Sequence, residues 1–353
     1  MKIGILTFFY INNYGAVLQA VALQDYLKNN SSAIVEMIPY KSKEMLIDDS
    51  PNPFYGKTLK NKLKRMINFP IRFNQYIKFE KFIQKFKYEY DGDFEEYDVV
   101  IVGSDQVWNT AITHEDYTYF LDMEMKASKY SYAASMGKYD YSDEEKRKIN
   151  NLLHQFKGIG VREYEAQKYL KKLGINSQVV VDPVFLQPKR YWDELAKKVE
   201  NKNYEEKYAV YYSLQENEKL ISKTNQLVRE EKRKVFAVHP HATKQDIMAK
   251  QLYCVGPEEF VALIKFSELV ITNSFHALAF SIIFRKKVLF SFHKNTGSRG
   301  KNLLELMGIN FDENESGIIE VDFKNVNTTN LDKQIEVSKK YLNTLLEKEE
   351  ILK

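Results

Sequence analysis

His276 closes the stretch Leu269-Val270-Ile271-Thr272-Asn273-Ser274-Phe275-His276, in which an apolar, strand-like run is followed by cap-forming side chains and then by the apolar segment Ala277 to Phe284. This order predicts a buried strand, a turn and a helix, with His276 at the turn. In α/β sheets such turns lie at the carboxyl ends of strands, where ligands bind, and a helix start offers unpaired N–H groups to an anion. Asn273, Ser274 and His276 are therefore candidates to touch a phosphate or carboxylate. Equally, the histidine could cap or pack the helix.

Other polar residues follow strand-like runs in the same way. Asp98 to Val102 is rich in β-branched residues and stops at Gly103-Ser104-Asp105, so Ser104 and Asp105 can present oxygens at a strand end and Trp108 can wall a pocket. Both oxygens would also suit a helix cap. Gly158 to Val161 leads to Arg162, whose structural alternative is a pair with Glu163 or Glu165. Lys287 to Phe292 leads to Lys294 and Arg299, the nearest cations to His276 that also lie beyond a strand. Gly15, after the first strand, stands where a helix start would face a ligand, although a lone glycine equally serves a turn.

The elements that must position these groups alternate strand and helix twice. Lys2–Phe9, Val17–Leu27 and Ile34–Pro39 read as a βαβ unit. Strands follow at Asp98–Val102, Tyr130–Gly137, Gly158–Val161 and Gln178–Val181, and the pattern restarts at Tyr208–Leu214 and Lys234–Val238. A short strand is expected at Cys254–Val255, a helix from Pro257, a helix over Asn302–Met307, a strand at Ile318–Val321 and a long final helix from Leu331. The expectation is an α/β chain with residues 1–200 as one domain, 201–325 as a second, and 326–353 as a helix crossing back to the first.

Composition limits the alternatives. The chain has 353 residues and a net charge of +4, which suits two domains and argues against a nucleic-acid-coating protein. Cys254 is the only cysteine, so neither an internal disulfide nor a cysteine-based zinc site can form; it reads as a buried small hydrophobe. His239 and His241 lack a nearby carboxylate or cysteine to complete a ligand set, and no metal is expected. No segment reads as membrane-spanning or as a cleaved signal. The expectation is a cytoplasmic protein. Residues 55–90 form a Lys-, Phe- and Ile-rich insertion read as two helices separated by Pro70, and its basic part, 57–87, suits peripheral contact with the inner face of an anionic membrane, or simply a solvated face.

Several of these segments together resemble the polysaccharide pyruvyl transferase family. They are NNYGAVLQAVALQ, DVVIVGSDQVWN, YAASMG, VREYEAQKYL, VVVDPVFL, TNSFHALAFSIIFRKKVLF and SRGKNLLELMGI, in order from about Lys2 to Ile309. The resemblance implies two facing Rossmann-like domains, similar to the GT-B glycosyltransferase architecture, with the acceptor side in the first and the donor side in the second. It implies phosphoenolpyruvate as donor substrate, no cofactor, and a nucleotide- or lipid-linked sugar acceptor that receives a pyruvate ketal. Where family members often carry Arg-Leu-His, this chain has Ser274-Phe275-His276, which leaves Arg299, Lys294, Arg285 or Arg162 to supply the positive charge. On this reading His276 is the general acid/base, Asp105 an acceptor-side base or hydroxyl anchor, and Arg299, Lys294, Arg162, Ser274, Asn273, Gly15 and Ser104 bind substrate. A GT-B-type glycosyltransferase using a nucleotide-sugar donor and a non-catalytic phosphosugar-binding protein are the competing readings.

Overall fold

The computed structural model describes residues 1–42, 45, 47, 50–55, 58–86, 94–199, 207–239, 246–292, 298–311 and 317–353. Among these, the strands form two six-stranded sheets. The first contains β1 (Lys2–Leu6), β2 (Ile34–Met37), β3 (Val99–Val102), β4 (Ser128–Ala134), β5 (Gly158–Val161) and β6 (Gln178–Val179). Their spatial order is β2-β1-β3-β4-β5-β6, and every pair is parallel. The second contains β7 (Tyr208–Tyr212), β8 (Lys234–Val238), β9 (Lys250–Leu252), β10 (Leu269–Thr272), β11 (Lys287–Phe290) and β12 (Ile319–Asp322). Its order is β12-β11-β10-β7-β8-β9, antiparallel only between β11 and β12.

Parallel strands need helical crossovers that cover both sheet faces, and their residues are accordingly apolar on both sides. All four residues of β3 and all five of β7 are buried. The covering helices are α1 (Tyr14–Asn30), α2 (Leu59–Ile67), α3 (Phe69–Ile83), α4 (Asp143–Leu153), α5 (Tyr164–Lys172), α6 (Lys189–Lys197), α7 (Glu218–Glu230), α8 (Pro257–Phe266), α9 (Phe275–Ile283), α10 (Ser298–Leu306) and α11 (Thr329–Lys348). Pro70 falls in the first turn of α3, where its missing N–H leaves no bond unmade.

Each sheet reverses its direction of strand addition at one place. In the first this lies between β1 and β3; in the second, between β7 and β10. Ligands of open α/β sheets sit outside the carboxyl ends of the strands at such reversals. Here the two reversals are brought together. Tyr14, at the start of α1, stacks on Phe260 of α8 with centroids 4.3 Å apart and donates its hydroxyl to the Val255 carbonyl at 2.9 Å.

Three local expectations change. The strand at Gln178 ends at Val179, because Val181 N–H turns out of the sheet to the Ser338 hydroxyl at 2.9 Å on α11. The short strand near Cys254 lies earlier, at Lys250–Leu252, and Cys254 is only half-buried, its thiol against the Ile71 carbonyl. Trp108 is fully buried and donates to the Tyr119 carbonyl at 2.8 Å, so it belongs to the core rather than to a pocket wall. Helix α11 lies against the first sheet, where the Tyr341 hydroxyl donates to the Ser131 carbonyl at 2.9 Å. The expected change of domain near residue 200 lies outside the described residues. Among those described, no helix is long and apolar enough to cross a membrane.

Candidate active site

Ser274 is the N-cap of α9, its hydroxyl accepting the Ala277 N–H, and this sets His276 in the first turn with its side chain almost fully buried. Across from it, Asn13 caps α1 by accepting the N–H groups of Gly15 and Ala16 at 2.9 and 3.3 Å. The two helix starts are in contact. A Cβ on Gly15 would lie 1.9 Å from Nδ1 of His276, so the ring fits only because residue 15 has no side chain. The N–H of Gly15 is already taken by Asn13, and its contribution is therefore the room it leaves.

The other ring nitrogen, Nε2, lies 3.4 Å from Oδ2 of Asp182, an ion-pair contact without hydrogen-bond alignment. Asp182 follows β6 and is fully enclosed. The same Oδ2 accepts Nη1 of Arg162 at 2.7 Å and the Ser104 hydroxyl at 3.2 Å, while Oδ1 accepts the Val184 N–H at 3.1 Å. Burial alone would push this carboxyl up; the charge and contact of His276, then Arg162 and the Val184 N–H, outweigh it and hold Asp182 well below the usual carboxylate range. Ser104 is buried between Arg162 and Asp182, so its hydroxyl orients them and does not face the cleft.

Two guanidinium groups lie over one aromatic ring. Arg162 and Arg299 lie with Cζ 5.0 and 5.9 Å from the centroid of the Phe275 ring. Arg299 sits in the first turn of α10, which begins at Ser298, four residues before the expected helix start at Asn302. Gly300 lets α10 approach the Phe290 ring, and Asn302 clasps α5 by accepting the Tyr164 N–H at 3.0 Å. Burial, and then the charge of Arg162, push Arg299 down to about 10, so it stays cationic at neutral pH. Among the described residues, Nε and Nη2 of Arg162 and Nε of Arg299 are buried without hydrogen-bond partners. Unsatisfied buried donors on cations are costly, and an anion between them would remove that cost.

Asp105 completes the cleft from the end of β3. Its Oδ1 is 3.8 Å from Nη2 of Arg162 and 3.9 Å from Nη1 of Arg299, and it adopts a left-handed backbone, φ 80°, stabilised by accepting the N–H of Gln106 at 2.8 Å. Asn273 lines the same cleft but its side chain is committed to the loop after β7, accepting Leu214 N–H at 2.9 Å and donating to the Gln215 carbonyl at 3.2 Å. Arg285 is elsewhere, bonded to the Phe323 and Val326 carbonyls at the far end of α9. Lys294 lies outside the described residues.

Two members were not singled out from the sequence. Asp182 read as the end of a strand before proline, and nothing short of the fold joins it to a residue 94 positions later (276 − 182). Glu163 read as a surface partner of Arg162, yet it is buried, accepts the Ser135 hydroxyl, and is pushed above the usual carboxylate range by burial in spite of Arg162 and Arg299. Among the described residues no group of three His, Cys, Asp or Glu could hold a metal ion. His239 bonds to Gln251 and stacks on Tyr253, and His241 lies outside the described residues.

Two facing Rossmann-like sheets with a polar site between their reversal points define a GT-B-like protein. Solved structures agree on the fold. The chain is similar to UDP-N-acetylglucosamine 2-epimerase from Rickettsia bellii, at 12% identity over 98% of this chain and 96% of that one, TM-score 0.50. It is also similar to UDP-GlcNAc 2-epimerase from Neisseria meningitidis bound to UDP-GlcNAc, at 11% identity over 97% and 93%, TM-score 0.51. No curated protein sequence matches. The family model for polysaccharide pyruvyl transferase matches residues 13–290, and the chain belongs to that family.

Proposed function

We propose that the protein transfers a pyruvyl group from phosphoenolpyruvate to two hydroxyls of a nucleotide- or lipid-linked sugar, forming a pyruvate ketal and releasing phosphate. The observation that carries this reading is the pair of buried guanidinium groups with unpaired N–H donors beside a histidine held against a carboxylate. Phosphoenolpyruvate brings a carboxylate and a phosphate, and each suits the fork of an arginine. Arg299 and Arg162 would take these groups, with the starts of α1, α9 and α10 adding positive dipole ends. Lys294 is a further candidate for the phosphate, and Ser274 and Asn273 shape that side of the cleft.

The bond changes assign the remaining groups. One sugar hydroxyl adds to C2 of the donor while a proton goes to C3, which becomes the methyl group; the second hydroxyl replaces the phosphate at C2, and its proton leaves with the phosphate. His276 would exchange the proton through Nδ1, since Nε2 is turned to Asp182, whose charge steadies the imidazolium. Asp105, from the first sheet, would act on the acceptor side as base or hydroxyl anchor. In this arrangement the second sheet supplies His276 and Arg299, the first supplies Arg162 and Asp105, and the donor is held by both.

Turnover of phosphoenolpyruvate with a diol-bearing glycan, followed by phosphate release and by the appearance of a ketal methyl resonance, tests the reading. His276→Ala should lower the rate by about 10²-fold or more; near-normal turnover would remove His276 from the chemistry.

A further inference from the structure

The insertion before β3 carries its apolar face outward. In α2, Leu59, Leu63, Met66 and Ile67 recur at helical spacing and fall within one arc, and they are 85, 60, 53 and 71% exposed. The opposite, polar side faces the protein: Arg65 donates to the carbonyls of Ile47 and Ser50 at 3.3 and 2.5 Å, and Arg72 of α3 donates to Ser50 at 2.9 Å. Core helices are oriented the other way. No residue of α2 is buried, and Phe54 in the turn before it and Phe73 of α3 are also exposed, 71 and 42%.

The charge around this surface has one sign. From Ser50 to Ile77 the chain has no Asp or Glu, against Lys57, Lys60, Lys62, Lys64, Arg65 and Arg72. On the helical wheel Lys60 and Lys62 flank the apolar arc, where their stems can reach outward while the methyl-bearing side chains insert. We propose that α2 is a docking surface for an anionic lipid bilayer, its leucine and isoleucine side chains entering the headgroup boundary and its lysines meeting the lipid phosphates. A second copy of the chain fits the same face less well, because a symmetric contact would bring two lysine rims together.

The surface is joined to the cleft through α3 but distinct from it. Lys78 of α3 pairs with Glu259 of α8 at 2.7 Å, and Phe79 lies against Tyr14, the neighbour of Gly15. Along α3 this is about 15 Å from Phe69 at 1.5 Å per residue. Docking through α2 would thus hold the cleft close to the lipid surface, and it stands whichever donor the cleft accepts.

Flotation with phosphatidylcholine vesicles, with and without phosphatidylglycerol, tests the proposal on the full chain. Binding is expected only with phosphatidylglycerol and should weaken as salt rises. Lys60→Glu/Lys62→Glu/Lys64→Glu and, separately, Leu63→Ser/Ile67→Ser should each lower the bound fraction by about tenfold or more, with unchanged melting temperature because none of these side chains is buried. Absence of binding, equal binding to both vesicles, or variants that bind like the wild type would overturn it. So would a dimer in sedimentation that Leu63→Ser/Ile67→Ser dissolves.

Discussion

A Cβ built on Gly15 falls 1.9 Å from Nδ1 of His276, although the two residues stand at the starts of helices that follow strands of different sheets. The start of α1 is thus a wall of the histidine's site, and residue 15 can be nothing larger than glycine without moving the ring. Gly15 lies in the buried first turn of α1, where a Cβ would overpack the site at a cost of about 1–3 kcal/mol. Gly15→Ala should therefore lower the melting temperature modestly and, by displacing His276, take turnover down by about 10²-fold. An unchanged rate would show that the contact is not needed.

Asp182 links His276 to Arg162, and its removal strands a buried cation. Asp182→Asn should destabilise the fold by about 3 kcal/mol, read as a lower denaturation midpoint, and should lower kcat. Because the folded carboxyl is held below its unfolded value, its stabilisation is present above about pH 4 and is lost as pH falls through the depressed value. The difference between wild type and variant should accordingly shrink in strong acid.

Glu163 has the opposite sign. Its folded carboxyl is held above the usual range, so the folded state keeps a proton that the unfolded chain has lost, and the associated stability disappears as pH rises through the folded value. Glu163→Gln, which can still accept the Ser135 hydroxyl, should be relatively more stable than wild type at neutral pH and should lose that advantage below about pH 4. Thermal melts across this range measure it; a stability gap that does not depend on pH would refute the assignment.

Arg299→Lys keeps a charge but loses the fork. If both arginines grip the donor, KM for phosphoenolpyruvate should rise by about tenfold while kcat changes less. An effect confined to the KM of the acceptor would move Arg299 to the other side of the cleft.

Much of this site was legible because the elements that build it are local. The β-branched run before Asn273 and the cap at Ser274 place His276 at a strand end without reference to the rest of the chain, and Val99–Val102 does the same for Asp105. The partners of those residues were not. Asp182 meets His276 only when the turn after β6 packs against α9, and an aspartate before proline signals nothing beyond a turn. Glu163 carries the polarity of a surface residue yet is buried beside Arg162, and Ser104, expected to bind substrate, spends its hydroxyl between Arg162 and Asp182. In α2 the helical period identifies which side chains share a face, but not that Arg65 turns that face outward.

The central claim is that the cleft at His276, Arg162 and Arg299 takes phosphoenolpyruvate, and thermal shift measures it most directly. Phosphoenolpyruvate at about 100 times its Kd should stabilise the protein by about 2.7 kcal/mol, Arg162→Ala/Arg299→Ala should abolish the shift, and UDP-GlcNAc should not reproduce it as a donor does. A shift with UDP-GlcNAc that depends on these arginines, with none from phosphoenolpyruvate, would contradict the account.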